Sequence, residues 1–235
     1  MNQNRVYKPA FGSGANGIFT YNDVYADMKS VLTYRQLAYL PLKRLIDFAV
    51  SFIGLIICLP IFLVVSALIK LDSPGPVFFK QERAGKNGET FLIYKFRSMR
   101  QSAETEREKL LSLNESDGPF FKIREDPRIT RVGRFIRKYS IDELPQLINV
   151  LEGSMSLVGP RPALFNEIQQ YSRAELHILD VTPGITCYWQ ISDRSDSAGS
   201  RLDLDIKYIN EFNILIDMMI LLKTPIAVFK TKGAY

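Results

Sequence analysis

From Phe48 to Ile69 the chain runs for roughly 22 residues without one charged side chain. As a straight helix that length crosses a bilayer core of about 30 Å. Pro60 falls inside the run, where it removes a helical hydrogen bond and crowds the preceding turn, so a kink is predicted. Cations stand on both flanks: Lys43 and Arg44 before, Lys70, Lys80 and Arg83 after. Such residues mark the cytoplasmic side of a membrane. Two cytoplasmic flanks predict a re-entrant helix–break–helix hairpin that enters and leaves by one face. A true span and a buried soluble helix are the alternatives. Asp47 is expected to pair with Lys43 or Arg44 one turn back, which eases a carboxylate at the interface.

The remaining pattern is weaker but readable. Residues 1–20 include Gly12-Ser13-Gly14-Ala15-Asn16-Gly17 and keep no period, as a loosely docked segment would. No apolar region of a cleavable signal peptide follows the start. Residues 21–40 allow a modest amphipathic helix. Asp72-Ser73-Pro74-Gly75-Pro76 is a turn. Val77-Phe78-Phe79 opens a strand, Asn87-Gly88 marks a tight hairpin, and Thr90 to Phe96 forms the partner strand. Lys95 and Arg97 alternate with Tyr94 and Phe96 and share a face, either merely solvated or facing a ligand. Gln101 to Asn114 reads as an exposed charged helix capped by Ser102, and Glu115 to Gly118 as a loop. Phe212 to Leu222 is a second apolar run, short for a span, suited either to the membrane interface or to a core helix. The fold class is therefore mostly α with a small β-hairpin (α+β). Its parts are an extension over 1–40, a membrane-inserted re-entrant helix over 41–71 and a cytoplasmic domain over 72–235.

Composition narrows the chemistry. A chain of 235 residues can bury a core of its own, and its net charge of +5 with pI near 9.1 suits an anionic partner. Two cysteines, Cys58 and Cys187, make neither a disulfide framework nor a thiolate metal site. The single histidine, His177, excludes a multi-histidine centre and reads as a surface or packing residue. Nucleic acid is a poor fit, because no recognition helix or stacking platform is present and acids intersperse the cations.

The most informative stretch is Ser140-Ile141-Asp142-Glu143-Leu144-Pro145-Gln146. Ser140 followed by Glu143 matches a capping box, and Asp142 suits a first helical turn, which explains both acids without catalysis. The neighbours favour phosphate chemistry instead. Arg131, Arg134 and Arg137 recur every third residue, along one face leading into the acids. Arg161 stands between Pro160 and Pro162, whose fixed φ restricts the guanidinium, and arginine's fork matches phosphate oxygens. A helix N-terminus also offers free N–H groups to an anion. Positive surroundings keep Asp142 ionised, and an ionised carboxylate can attack phosphorus. Mg2+ held by Asp142 would bridge carboxylate and phosphate oxygens.

Lys95-Phe96-Arg97-Ser98-Met99, Asp126-Pro127-Arg128-Ile129-Thr130, the Asp142-Glu143 stretch, Gly159-Pro160-Arg161-Pro162, Pro183-Gly184-Ile185-Thr186 and Trp189-Gln190 follow in order. Together they resemble the bacterial sugar transferases, the monotopic polyprenol-phosphate phosphoglycosyl transferases. The resemblance covers about residues 41–228 and is to the small members, without the extra transmembrane bundle of the large ones. It implies transfer of sugar-1-phosphate from a nucleotide diphosphate sugar, usually a UDP-sugar, to undecaprenyl phosphate at the cytoplasmic face of the bacterial inner membrane. UMP leaves, and the course is ping-pong through a phospho-sugar on Asp142. Glu143 completes the dyad, while Lys95, Arg137, Arg161 with Pro162, and Arg194 bind substrate. Three positions depart from the family pattern: Asp193-Arg194-Ser195 stands for Gly-Arg-Asn, Leu59 precedes Pro60 in place of serine, and Cys187 replaces a common glycine. A membrane adaptor binding anionic lipid, and a glycosyltransferase releasing UDP, are the rival readings. Self-association and docking of pathway glycosyltransferases are both compatible with residues 1–40.

Overall fold

The computed structural model describes residues 30–106, 108–115, 121, 123–192 and 198–229. Helix α1 (Tyr34–Asp72) begins with a capping box, Thr33 and Gln36 each bonding the other's backbone N–H. Residues 34–40 therefore continue the membrane-type helix, and the earlier part of the expected amphipathic helix lies outside the described residues. Pro60 sits inside α1, which is one helix and not two separated by a break. A proline removes one hydrogen bond, and the turns on either side of it persist. Among the described residues α1 is the one helix long and apolar enough to cross a membrane.

Both ends of α1 are gripped by the same body. Near its start, Gln36 donates to the Ile209 carbonyl, Lys43 pairs with Asp217 at 2.5 Å, and Arg44 reaches the Val150 and Leu151 carbonyls. Asp47 accepts the Leu157 N–H at 3.0 Å, so its expected pairing with Lys43 or Arg44 is corrected. The cations one turn back are held instead by Asp217 and by the Val150 and Leu151 carbonyls. Near its end, Val65 and Ile69 pack with Phe96 and Ile136. Between the two grips Phe52, Ile53, Ile56, Ile57, Leu63 and Val64 stand exposed.

Strands β1 (Phe78–Ala84) and β2 (Thr90–Phe96) form the expected antiparallel hairpin, from Phe78 opposite Phe96 to Ala84 opposite Thr90. Asn87 at φ 54° and Gly88 at φ 74° make its turn, a left-handed pair that explains the Asn-Gly sequence. Arg97 is buried and donates to the Pro74 and Ser73 carbonyls, closing the end of α1. It is therefore a structural cation and does not act beside Lys95. The charged segment after the hairpin splits into a helical turn at Ala103–Glu106 and a 3-10 stretch at Glu108–Leu113, not one helix.

Helix α2 (Arg131–Lys138) is capped by Thr130 and lies so close to β2's exit that a Cβ on Gly133 would meet the Ser98 carbonyl at 1.9 Å. Helix α3 (Gln146–Glu152) is locked to β2 by Asn149, which is fully buried. Asn149 accepts from Tyr94 N–H at 3.0 Å and donates to the Leu92 carbonyl at 2.7 Å. Strands β3 (Ser156–Val158) and β4 (Gly184–Thr186) pair in parallel at the centre of the main core. Helix α4 (Ala198–Glu211) and helix α5 (Ile214–Phe229) close the fold. On α5, Asp217 and Ile220 are buried while Leu215, Leu222, Ile226 and Phe229 are exposed, so the second apolar run serves the core on one face only. Asp217 ties α5 to the rest: besides Lys43 it accepts from the hydroxyls of Tyr39 at 2.9 Å and Tyr208 at 2.8 Å. The described residues are thus mostly α with two small two-stranded sheets among them.

Candidate active site

The paired acids occupy a turn between α2 and α3. Ser140 adopts φ 54°, ψ 22°, a left-handed conformation that ends α2 and reverses the chain. Its side chain makes no cap, and Ile141–Glu143 is a single 3-10 turn, so the expected capping box is corrected. Backbone bonds supply what a cap would have supplied: the Glu143 N–H reaches the Ser140 carbonyl and the Leu144 N–H reaches that of Ile141. Helix α3 starts only beyond Pro145. Asp142 is left buried, at 7% exposure, without a local capping duty.

Lys95 projects from β2 onto this turn and pairs with Glu143 at 2.6 Å, which rules out the merely solvated reading of Lys95. The two acids are pushed apart in acidity. Burial raises Asp142 to about 6, opposed by the charges of Lys95 and Arg137 and reinforced by Glu143. Burial also acts upward on Glu143, yet Lys95, through charge and hydrogen bond, then Arg161 and Arg137 hold it below the usual carboxylate range. The positive surroundings expected to keep Asp142 ionised are present in Lys95 and Arg137, and burial works against them. One ionised, engaged acid beside one poised acid is a pattern that assigns different tasks to neighbouring carboxylates.

A cavity of about 110 Å³ opens beside the turn, lined by Lys95, Glu143, Arg161, Pro162, Trp189 and Arg83 among others. Arg161 is steadied by Glu167 at 2.9 Å, and Glu167 also accepts the Leu164 N–H. The Pro-Arg-Pro backbone is pinned from behind: a Cβ on Gly184 would lie 2.1 Å from the Gly159 nitrogen, so only glycine permits the approach. Arg137 reaches the acids by charge, whereas Arg131 and Arg134 are exposed on α2. Arg128 pairs with Asp126 at 2.6 Å and donates to the Ala103 carbonyl, a structural use. Arg194 lies outside the described residues. Among the described residues no group of three or more His, Cys, Asp or Glu could hold a metal ion. His177 packs against Asp180 at 3.1 Å.

Sequence reasoning missed four residues around this cavity. Arg83 was read as a flank of the apolar run, but β1 carries it to the cavity wall. Glu167 is sequence-near Arg161 and offers a visible i, i+6 acid. Arg201 lies over the Trp189 ring at 3.9 Å, and Asp205, four residues on, is buried beside it and pushed up to about 7 by burial against Arg201 and Arg161. An Arg–Asp pair at i, i+4 on one helix was the signal available for the last two.

The fold and site describe an α+β protein with a long apolar helix and a cationic cavity lined by Glu143, next to the buried Asp142 in the chain. The family described as bacterial sugar transferase matches residues 38–231. A relative named galactosyl transferase CpsE, from Streptococcus agalactiae, is 44% identical over 211 residues, covering 87% of this chain and 47% of that protein. The exopolysaccharide production protein ExoY of Rhizobium meliloti is 38% identical over 198 residues, covering 82% and 88%. An undecaprenyl-phosphate galactose phosphotransferase of Salmonella typhimurium is 37% identical over 235 residues, covering 97% and 48%. The chain thus spans about half the length of the first and third of these and most of the second. It belongs to the bacterial sugar transferase family.

Proposed function

We propose that this chain transfers a sugar-1-phosphate from a nucleotide diphosphate sugar, a UDP-hexose, to undecaprenyl phosphate. UMP is released and a polyprenyl-diphosphate sugar remains, as the first membrane step of a surface glycan. The observation that carries this is the buried Asp142 set against the Lys95–Glu143 pair at a cavity walled by Arg161. Relatives named for undecaprenyl phosphate and galactose, and for exopolysaccharide production, support the substrate class.

In the first half-reaction an Asp142 carboxylate oxygen bonds to the sugar-bearing phosphorus. The bond from that phosphorus to the bridging oxygen breaks, and its electrons leave on UMP. In the second, a phosphate oxygen of undecaprenyl phosphate attacks the same phosphorus and expels the carboxylate. Lys95 and Arg137 balance the charge that gathers at the acids, Arg161 beside Pro162 binds the diphosphate, and Arg194 is a further substrate-binding cation. Glu143 holds Lys95 in place and assists the dyad. A hard ion such as Mg2+ fits Asp142 when phosphate oxygens and water complete its shell, as it commonly binds through one or two carboxylates plus substrate phosphates. It would supply charge neutralisation between carboxylate and phosphate.

We further propose that α1 is a re-entrant anchor of the inner membrane with the catalytic domain on the cytoplasmic face. Support comes from the two grips: Asp47 and Ile69 both touch one folded body, while the apolar surface between them is exposed. A straight crossing would put those residues on opposite sides of a ~30 Å core. Single cysteines placed at Arg35 and Lys80 should both resist a membrane-impermeant reagent in intact cells and react after lysis. External labelling at position 35 alone would overturn the re-entrant reading in favour of a span.

The reaction is tested by offering the full chain in membrane mimic a panel of UDP-sugars, undecaprenyl phosphate and Mg2+. UMP is expected. UDP would instead mark a sugar-only glycosyltransferase, and no nucleotide at all an adaptor.

A further inference from the structure

Two guanidinium groups, Arg161 and Arg83, line the cavity, and the proposed reaction so far uses only the first. Arg83 lines the same cavity from β1. Its Nη1 donates to the Pro162 carbonyl at 3.0 Å and its Nη2 to the Gln81 side chain at 2.7 Å. Its Nε is buried with no hydrogen-bond partner among the described residues. A buried unmet donor on a cation, beside another cation, is unfavourable until an anion arrives. Burial and the Arg161 charge both work against the protonated form of Arg83, lowering it to about 10.

Glu143, paired with Lys95 at 2.6 Å, lines the cavity together with Arg161, Pro162 and Arg83, and Arg83 is bonded to the Pro162 carbonyl. A diphosphate whose attacked phosphorus is at Asp142, next in sequence to Glu143, would place its second phosphate in this cavity, which Arg83 and Arg161 both line. We infer that Arg83, with Arg161, binds the phosphate of the departing nucleoside monophosphate, and that its hold on Pro162 couples that phosphate to the Pro-Arg-Pro segment. This rests on the proposed reaction for the identity of the leaving group.

The test uses the full chain in nanodiscs, with UMP and uridine as probes. Arg83→Gln should weaken UMP binding by calorimetry roughly 10- to 100-fold, the loss expected for a charged hydrogen bond. The KM for the UDP-sugar should rise with it, while inhibition by uridine, which has no phosphate, should stay unchanged. Arg83→Lys should recover part of the UMP affinity, because it keeps the charge without the fork. Unchanged UMP affinity in Arg83→Gln with lowered kcat would overturn the inference and leave Arg83 a prop for Pro162. Equal loss of UMP and uridine would overturn it too, as general disturbance of the cavity. If Arg83→Gln lacks a cooperative thermal transition, Arg83→Lys decides alone: wild-type UMP affinity with a raised KM overturns the inference, and a parallel loss of both supports it. Wild-type protein that binds UMP but never releases it from a UDP-sugar would sink the proposed reaction and leave the Arg83 phosphate site standing.

Discussion

Asp142→Asn will abolish UMP release from a UDP-sugar, by roughly 10⁴-fold or more, and will at the same time make the protein more stable. The first effect follows from the proposed attack, since an amide oxygen cannot form the acyl-phosphate. The second follows from burial. Asp142 is 7% exposed and its acidity is shifted up to about 6, so its ionised form is disfavoured in the fold. A carboxylate raised above its unfolded value lowers stability as pH climbs from near 4 to near 6, and the penalty stays constant above that. Asparagine carries no charge and so removes the ionisation part of that penalty. The variant should therefore melt several degrees above wild type at pH 7.5, with the gap closing toward pH 4. A radiolabelled UDP-sugar should tag wild type and not the variant. Substantial turnover by Asp142→Asn would reduce Asp142 to a structural charge.

The cavity and the acids were legible in sequence because their residues come as short rigid motifs. Asp142-Glu143 and Pro160-Arg161-Pro162 each carry their geometry in a few adjacent residues, and Asn87-Gly88 specified the hairpin that delivers Lys95. What failed depended on partners far along the chain. Ser140 matched a helix cap by spacing, but the left-handed turn that ends α2 decided its conformation. Lys43, Arg44 and Asp47 looked like a local ion-pair set, yet each found its partner more than 100 residues away. Arg97 and Lys95 shared a face on paper, and the end of α1 claimed Arg97 through its unmet carbonyls. Arg83 was hidden for the opposite reason. Its cationic character near an apolar run had a sufficient membrane explanation, which masked its position at the end of a strand.

Two of the corrected cations serve a helix terminus, whereas Lys43 meets the Asp217 carboxylate and Asp47 a strand N–H. Arg44 meets the carbonyls ending α3, and Arg97 those ending α1. Cations near an apolar run therefore divide into two groups, those that fasten the anchor and those that face the cavity. Net charge cannot separate them. Only their particular partners in the fold do so.

Lys95→Met should slow the first half-reaction by roughly 10²–10³-fold and move its acid limb to higher pH. Lys95 pairs with Glu143 at 2.6 Å and is also the leading charge holding Asp142 down against burial. Without it, two adjacent acids share a buried turn with only the arginines to balance them, and both bind protons more tightly. The diphosphate of a nucleotide sugar has no proton to gain near neutral pH. Single-turnover UMP release against pH therefore reports the enzyme's own acids. Wild type should lose activity as pH falls through about 6, because the nucleophile must be ionised. Lys95→Met should show the same shape with its limb raised by about one unit or more. Lys95→Arg should keep the limb near its wild-type position, since the charge remains, while losing rate through altered geometry. An unmoved limb in Lys95→Met, with the rate reduced, would mean that Lys95 contacts substrate alone and does not set the ionisation of Asp142.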